Sequence, residues 1–318
     1  MDWRRKMAAE PVFLRDDVVA GFLSYDELIP RLEEILGKFS RSDNTDVVQP
    51  VRSVIPLHQH NGFMGLMPAY IAYEDLLCTK TVAFYRRNEN LHLPSTQATV
   101  FLFNPACGNV IAVMDGADIT FKRTAAVSAI SAKLLMPAQA EILCILGCGH
   151  QAVSHYEIFT KIFSFKEVRV CSRRLETAER FAARVQGPVK VFSSAKEAVH
   201  GADIIITVTN SSQPVLFGEW VKPGAHIAAV GACRPDWREL DDALMRDAVI
   251  YVDSRHGAAV EAGDIIQTGV EVFAELGEVL VGTRPALRNK TTVFKSLGMG
   301  IQDAVAAKLV FDKWKSSQ

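Results

Sequence analysis

The segment at 141–152, EILCILGCGHQA, constrains the fold more than any other part of the chain. A short apolar run ends at Gly147, and a helical pattern of apolar residues begins just after the turn. Gly147 permits a tight turn, Gly149 lets the backbone approach a pyrophosphate, and Ala152 keeps the helix close to the strand. The helix N-terminus offers free N–H groups and a partial positive charge to phosphates. Strand, glycine turn and helix in this order predict a dinucleotide-binding unit.

Strand and helix patterns alternate through the region around this turn. Strands are predicted at 141–146, 167–171, 189–192, 203–208, 225–230 and 248–252. Helices are predicted at 150–163, 174–185, 194–200 and 239–246. This alternation is typical of a Rossmann-type, doubly wound α/β domain, in which ligands bind at the carboxyl ends of the strands. Thr209 follows one such strand end, and the turn after Val230 leaves the sheet at the same edge.

The end of the second strand of this domain indicates which dinucleotide is bound. NAD-preferring sites place Asp or Glu there to hold the ribose 2′-hydroxyl. This chain has Ser172, Arg173 and Arg174 and no carboxylate. Guanidinium groups pair well with phosphate oxygens, so the segment predicts a 2′-phosphate and NADP. The alternative interpretation is an exposed basic turn.

The residues before 120 follow a different pattern. The first helix is predicted at 24–39, with Ser24 and Glu27 as a capping box and Pro30 bending the helix or moving its start. Strands are predicted at 51–57, 63–70, 76–85, 98–103 and 109–114. Because no helix separates these strands, an antiparallel or mixed sheet is expected. A final helix at 299–314 is expected to return and pack on this sheet.

Three cations are candidates for a substrate site. Lys80 lies on the more apolar face of its predicted strand, where a cation is costly. It is either an edge-strand lysine that reaches solvent or a desolvated lysine with a lowered pKa or an anionic partner. Arg52 raises the same question at the head of the first strand. Arg123 opens a predicted helix at 122–135 and either complements a ligand or is solvated.

Composition excludes several classes of protein. A formal charge of −1 with no basic run argues against a nucleic-acid or acidic-membrane partner. No window reaches the roughly 18 apolar residues of a membrane span, and the N-terminus lacks the apolar core of a signal peptide. The six cysteines form no C-x-x-C pair, which favours reduced thiols and a cytosolic location. His58 and His60 lack a third metal ligand, and no G-x-S-x-G motif indicates a hydrolase.

Several segments, spread over nearly the whole chain, resemble the ornithine cyclodeaminase/mu-crystallin family. They lie at 67–70, 79–80, 97–100, 114–116, 122–128, 145–152, 217–226, 234–240 and 291–298. The resemblance implies a Rossmann domain at 122–298 and a split α+β domain for substrate binding and dimerisation, built from 1–121 and from a C-terminal helix at 299–318. It also implies a cytosolic homodimer that reduces cyclic ketimines with NADPH, or less well with NADH. The implied ketimines are piperideine-2-carboxylate, pyrroline-2-carboxylate and sulfur-containing analogues.

The resemblance also implies site residues. A cationic cluster around the substrate carboxylate comprises Arg52, Lys80 and Arg123. The implied cofactor contacts are Ser95, Thr96, Arg123, Gly147, Cys148, Gly149, His150, Gln151, Ser172, Arg173, Arg174, Thr177, Thr209, Val230 and Ser296. Thyroid hormone is implied at or near the same site, with Arg52 and Glu261 beside it. No metal ligand is implied.

One departure separates the branches of the family. Cyclodeaminases and the related alanine dehydrogenase carry an aspartate in a G-x-D-x-P turn, where this chain has Cys233. Deaminating cyclisation of ornithine would lack its general base, whereas reduction of a preformed imine needs only carboxylate binding and hydride delivery. The competing interpretation is a non-catalytic cytosolic hormone carrier with NADPH as a regulatory ligand.

Overall fold

The computed structural model describes residues 10–41, 45–85 and 93–318. The described chain forms two compact units. The first unit combines the described residues up to Arg123 with Met299–Gln318, and the second unit is Thr124–Gly298. The first unit is therefore built from both ends of the described chain.

A seven-stranded sheet, counted over the described residues, forms the body of the first unit. Its strands are β1 (Val12–Leu14), β2 (Val47–Val48), β3 (Ser53–Leu57), β4 (Gly62–Ile71), β5 (Leu76–Tyr85), β6 (Thr96–Phe103) and β7 (Val110–Asp115). The order is β1-β7-β6-β5-β4-β2, and β3 also pairs with β4. All pairs are antiparallel except β1 with β7. The sheet is therefore mixed, and β3 to β7 confirm the five predicted strands, with ends shifted by no more than two residues.

Two predictions about the first helix are wrong. Helix α1 (Asp16–Phe22) precedes the predicted one, α2 (Tyr25–Phe39), and is too short to show a clear apolar period. Ser24 is the N-cap of α2, but its hydroxyl donates to the carboxylate of Glu27 and accepts no backbone N–H, so the predicted capping box is absent. Pro30 lies inside α2 and removes one donor from its hydrogen-bond ladder.

The last helix, α11 (Gly300–Ser316), packs against β4, β5, β6 and α2. The chain therefore returns to the sheet formed near its beginning. Gly300 is needed at the start of α11, because a Cβ there would lie 2.9 Å from the carbonyl oxygen of Met67. The close approach buries the whole first turn, including the polar side chains of Gln302 and Asp303.

An eight-stranded parallel sheet forms the second unit. Its strands are β8 (Ile142–Leu146), β9 (Glu167–Cys171), β10 (Lys190–Phe192), β11 (Ile204–Thr207), β12 (His226–Ala229), β13 (Val249–Val252), β14 (Ala274–Glu275) and β15 (Thr292–Lys295). The order is β10-β9-β8-β11-β12-β15-β13-β14. Successive strands extend outward from β8 on one side and from β11 on the other, so the direction of winding reverses between β8 and β11. This reversal is the topological switch point where such sheets bind ligands.

Helices connect these strands. They are α3 (Ala117–Leu135), α4 (His150–Ile162), α5 (Leu175–Arg184), α6 (Ala195–Val199), α7 (Asp242–Asp247), α8 (Arg255–Glu261), α9 (Gly263–Thr268) and α10 (Leu276–Leu280). The core between helices and sheet is apolar, with Ile205 and Ile227 fully buried. The alternating pattern predicted from the sequence is therefore present.

Three expectations for the second half of the chain need correction. Helix α3 begins at Ala117, whose N–H donates to Asp115 Oδ1 at 2.8 Å, so Arg123 lies in the second turn and does not open the helix. Helix α7 begins at Asp242 and not at 239, because the side chain of Asp241 caps it. Strand β15 is absent from the predicted set although it lies between β12 and β13, inside the sheet.

Two histidines are fully buried in the second unit. His155 Nδ1 donates to the carbonyl oxygen of Gln151 at 2.7 Å, which leaves Nε2 to accept from Ser128 Oγ at 2.9 Å. His226 contacts Ser131 Oγ at 3.0 Å and Thr292 Oγ1 at 2.9 Å. Burial lowers the pKa of His155 to about 4 and that of His226 to about 3. Both imidazoles are therefore neutral in the folded protein at neutral pH.

Acidification is expected to destabilise the protein through these histidines. Below about pH 6.5 the unfolded chain takes up protons that the folded chain excludes, so each histidine lowers the free energy of unfolding by up to about 1.4 kcal/mol per pH unit. The urea concentration at the midpoint of unfolding should fall between about pH 6.5 and pH 4, and His226→Asn should make this fall smaller. His200→Asn, at an exposed histidine, is the matched control. Equal pH dependence in wild type and His226→Asn would contradict the assignment.

No helix in the described part of the chain is long and apolar enough to cross a membrane. The same residues contain no group of three or more His, Cys, Asp or Glu side chains arranged to hold a metal ion. All six cysteines are described, and all are free thiols.

Candidate functional site

A buried cluster in the first unit unites charged side chains from β5, α3 and α11. Lys80 Nζ donates to Asp303 Oδ1 at 2.7 Å, and Arg123 Nε donates to the same oxygen at 2.9 Å. Arg123 Nη1 also donates to Gln302 Oε1 at 3.0 Å. Lys80 is 1% exposed, Arg123 4%, and Asp303 not at all. One carboxylate oxygen thus holds two buried cations side by side. We call Lys80, Arg123 and Arg52 the cationic cluster.

The position of Lys80 follows from the sheet. Strand β5 lies between β4 and β6, and Lys80 is paired with Met67 on one side and Val100 on the other. It is not on an edge strand, so the interpretation of an edge-strand lysine that reaches solvent is wrong. The desolvated interpretation is confirmed, because the side chain is buried and its partner is the anion of Asp303.

The charge state of Lys80 is set by opposing effects. Burial lowers the pKa of Lys80 to about 7, and the guanidinium groups of Arg123 and Arg52 act in the same direction. The carboxylate of Asp303 opposes them and favours the ammonium form. The lysine is therefore close to half-protonated near neutral pH.

Arg52 lies one residue before β3 and is half-buried. Its Cδ lies 4.0 Å from the position that a Cβ on Gly65 would take, in the adjoining strand β4. Its charge acts on Lys80, so the structure brings Arg52, Lys80 and Arg123 into one neighbourhood. A group of three neighbouring cations is suited to bind a small carboxylate.

Sequence reasoning missed the two α11 residues of this cluster. Asp303 is 223 residues from Lys80 and 180 from Arg123 in sequence, and no local pattern links them. The available signal was a Gln-Asp pair in the first turn of a helix whose next four residues, 304–307, are apolar and small. Both side chains keep one buried atom without a hydrogen bond to any described residue, Nε2 of Gln302 and Oδ2 of Asp303.

The glycine turn of the second unit has the geometry of a dinucleotide cradle. Gly147 has φ +115°, which other residues rarely adopt, and its N–H donates to the carbonyl oxygen of Cys171 at 2.9 Å. Gly149 is the N-cap of α4 and is exposed, and no heavy atom of the described residues lies within 4 Å of a Cβ built there. His150 and Gln151 lie in the first turn of α4, and the N–H groups at a helix N-terminus attract phosphate.

Cys148, between these glycines, is a neutral thiol. Burial raises its pKa to about 11, against the hydrogen bond with Ser172. Cys148 therefore places no negatively charged thiolate in the turn that would repel a phosphate. Gln151 Oε1 is buried without a hydrogen-bond partner among the described residues. The open space at Gly149, the helix N-terminus and the neutral thiol all fit a pyrophosphate.

The turn after β9 lies beside the glycine turn, because β9 pairs with β8. Ser172 is half-buried, and Arg173 and Arg174 are exposed. Arg174 is the N-cap of α5, where its carbonyl oxygen accepts from the N–H of Thr177 at 3.1 Å. Two exposed guanidinium groups at a helix start are placed to contact an added phosphate.

Thr209, Val230 and Ser296 follow β11, β12 and β15, three adjacent strands. The N–H of Val230 donates to the carbonyl oxygen of Thr207, and the N–H of Ser296 to that of Ala229, each at 2.9 Å. Because the strands are parallel, all three residues lie at the same sheet edge as the glycine turn. The structure therefore gathers these predicted cofactor residues along one edge.

A buried carboxylate that sequence reasoning missed, Glu239, orders this edge. It accepts from the N–H and Oγ1 of Thr209 at 2.6 and 2.7 Å, from Thr207 Oγ1 at 2.8 Å and from the N–H of Gly231 at 2.7 Å. Behind it, Lys295 pairs with Asp264 at 3.4 Å. Glu239 therefore ties together the turns that follow β11 and β12.

The remaining predicted residues lie elsewhere. Ser95 precedes β6, and its carbonyl oxygen accepts from the N–H of Tyr85 at 2.8 Å; Thr96 begins β6 and is paired with Phe84. Glu261 ends α8 in the second unit and is 8% exposed. Since Glu261 and Arg52 belong to different units, the hormone contacts stay a prediction, as do the cofactor contacts of Ser95 and Thr96.

The second unit has a parallel sheet with a glycine turn at its switch point, and the first unit buries two cations on one carboxylate. These features define the class of pyridine-nucleotide-dependent oxidoreductases. The model of the ornithine cyclodeaminase/mu-crystallin family matches residues 9–318. The chain belongs to this family, as its motifs indicated.

Similar proteins and solved structures support this assignment. Ketimine reductase mu-crystallin of Mus musculus is 59% identical over 313 residues, which cover 98% of this chain and 100% of the relative. A solved structure of Δ1-pyrroline-2-carboxylate reductase of Thermococcus litoralis, with NADH and L-proline, has a TM-score of 0.91 at 31% identity and covers 96% of this chain and 98% of its own. An archaeal alanine dehydrogenase dimer with bound NAD has a TM-score of 0.89 at 28% identity, covering 96% and 97%. The Rossmann-like α/β fold expected from the sequence is confirmed.

Proposed function

We propose that the protein reduces cyclic ketimines, such as piperideine-2-carboxylate and pyrroline-2-carboxylate, to cyclic amino acids with NADPH. The observation that carries this proposal is the pair of buried cations, Lys80 and Arg123, held on one oxygen of Asp303. Such a pair, with Arg52 beside it, is suited to bind the carboxylate next to the C=N bond. The 59% identity to the mouse ketimine reductase supports the same reaction.

The residues of the chain supply binding and orientation. The cationic cluster binds the substrate carboxylate and fixes the neighbouring imine carbon. The turn at Gly147 and Gly149 and the start of α4 bind the pyrophosphate, and Thr209, Val230 and Ser296 lie where the nicotinamide end is expected. When bound, NADPH supplies the hydride that reduces the C=N bond. The imine nitrogen carries the required proton when the ketimine binds as an iminium ion, so activity is expected to rise below neutral pH.

The same geometry argues against ornithine cyclisation. Cys233 stands in the turn where cyclodeaminases carry a catalytic aspartate, and its N–H donates to the carbonyl oxygen of Gly231 at 3.1 Å. A cysteine there offers no carboxylate to act as the general base for deamination. Incubation with NADPH and piperideine-2-carboxylate should yield pipecolate, identified by chromatography, while ornithine with NAD should yield no proline or ammonia. Proline from ornithine without ketimine reduction would overturn the proposed reaction.

Preference for NADPH over NADH is part of the proposal. Arg173 and Arg174 are exposed beside the glycine turn, and the segment contains no carboxylate to hold a ribose 2′-hydroxyl. Charge-assisted contacts of this kind contribute about 1.5–3 kcal/mol. Arg173→Ala with Arg174→Ala should therefore reduce the ratio of kcat/KM for NADPH to that for NADH by at least about tenfold. Arg180→Ala with Arg184→Ala, farther along α5, is the control, and an unchanged ratio in the first variant would remove the 2′-phosphate assignment.

Other partners complete the proposal. A homodimer is supported by the dimeric alanine dehydrogenase of similar fold, and a cytosolic location by the six free thiols. Thyroid hormone is proposed as a competing ligand, because a cluster that binds a compact carboxylate also accepts the amino-acid end of an iodothyronine.

The rival function is an NADPH-dependent hormone carrier that does not turn over substrate, which the same contacts would permit.

A further inference from the structure

The groups that face Lys80 include two cations and one carboxylate. Arg123 approaches from α3 and Arg52 from the segment before β3, and both are cations. Cys78 lies two residues away on β5, and burial raises the pKa of its thiol, so it stays neutral. The neighbours on β4 and β6 are the apolar Met67 and Val100. From α11 come the neutral Gln302 and the carboxylate of Asp303.

Asp303 shares one oxygen between two cations. With Lys80 protonated, Lys80 and Arg123 together exceed the charge of Asp303 by one. Because buried unbalanced charge is costly, the unliganded cluster relieves the excess by releasing the proton of Lys80. A bound carboxylate supplies the missing negative charge and restores the ammonium form.

We propose that Asp303 is the positioning residue that keeps Lys80 protonatable, and that a carboxylate binding to the cationic cluster brings one proton onto Lys80. The proton comes from solvent, and the bound state holds an ammonium group against two carboxylates. Because this inference rests on the proposed function, which places the substrate carboxylate at this cluster, its test must separate the two.

Pyrrole-2-carboxylate is a suitable probe, since it resembles the planar ketimine but does not titrate near neutral pH. Calorimetric titration of the full chain saturated with NADP⁺, in buffers of different ionisation enthalpy, counts the protons taken up on binding. We expect almost none at about pH 6 and most of one proton at about pH 8, because the pKa of Lys80 lies near neutrality. Affinity should fall by up to about tenfold per pH unit above about pH 7.

Asp303→Asn keeps an oxygen to accept from Lys80 and Arg123 but removes the charge. An opposite charge at this distance shifts a pKa by about 1–3 units. The decline in affinity should therefore move to lower pH by about 1–3 units, and binding at about pH 8 should weaken at least tenfold. Asp312→Asn makes the same change on the exposed part of α11, where Asp312 pairs with Lys308, and should leave the profile unchanged. A purely structural role would weaken binding equally at every pH.

The measurement on the wild-type protein tests the inference even if Asp303→Asn fails to fold. Binding that takes up no proton and is independent of pH between about 6 and 9 would overturn the inference while leaving the substrate site intact. An unshifted profile in folded Asp303→Asn would overturn the role of Asp303. No binding of pyrrole-2-carboxylate at any pH would refute the substrate site itself, and the inference with it.

Discussion

Replacing Lys80 by methionine is expected to lower kcat/KM for a cyclic ketimine by about 30-fold to several thousand-fold. Truncating one member of a buried charge pair at a binding site costs about 2–5 kcal/mol, and the lost group is one that would contact the substrate carboxylate. The fold should tolerate the change, because methionine approximates the volume of the lysine stem. Asp303 also keeps Arg123 as its ion-pair partner at 2.9 Å.

Two controls make the Lys80→Met result specific. NADPH affinity, followed by fluorescence, should change little, because Lys80 is not among the residues predicted to contact the cofactor. Lys166→Met removes a lysine that is 74% exposed and pairs with Glu141 on the surface, and it should leave kcat/KM unchanged. Normal ketimine reduction by Lys80→Met would show that the buried lysine is only structural.

Alanine at Gly147 and alanine at Gly149 are expected to have opposite effects. At Gly147 the backbone has φ +115° and a Cβ would lie 2.7 Å from the carbonyl oxygen of Val208, so Gly147→Ala should destabilise the apoprotein by about 2 kcal/mol or more. At Gly149 the backbone suits alanine and the Cβ meets no described atom. Gly149→Ala should therefore cost less than about 1 kcal/mol of stability.

For binding of the dinucleotide, the substitution at Gly149 is the one expected to have the direct effect. The open space at Gly149 is where the backbone approaches the pyrophosphate, so a methyl group there should weaken NADPH binding by about 5- to 150-fold, the equivalent of about 1–3 kcal/mol. Urea unfolding without cofactor and NADPH titration measure the two effects separately. Wild-type NADPH affinity in Gly149→Ala would show that the turn does not bind the pyrophosphate.

The dinucleotide unit was predictable because its signals are local. An apolar strand, two glycines and the start of a helix occupy one short segment, and the following strands repeat at similar spacing. Strand β15 was not predicted because it follows an irregular segment, beyond the part of the chain in which strand and helix patterns alternate regularly. Its place inside the sheet is decided by pairing with β12 and β13, which the sequence does not display.

The cationic cluster was predictable only in part. The position of Lys80 on the apolar face of its predicted strand indicated that the lysine could be desolvated, and the structure shows that it is buried. The anion that holds it could not be foreseen, because Asp303 reaches the sheet only when α11 packs on β5. Glu239 was missed for a related reason. Its four hydrogen-bond donors lie at the end of β11 and in the turns after β11 and β12, which become neighbours only in the folded sheet.

The most direct test of ketimine reduction is the loss of NADPH absorbance when piperideine-2-carboxylate is added at mildly acidic pH, with thyroid hormone titrated as an inhibitor. We predict ketimine-dependent oxidation of NADPH that the hormone suppresses competitively. Absence of NADPH oxidation, together with hormone binding that still depends on NADPH, would contradict the enzyme and identify a carrier built on an oxidoreductase fold.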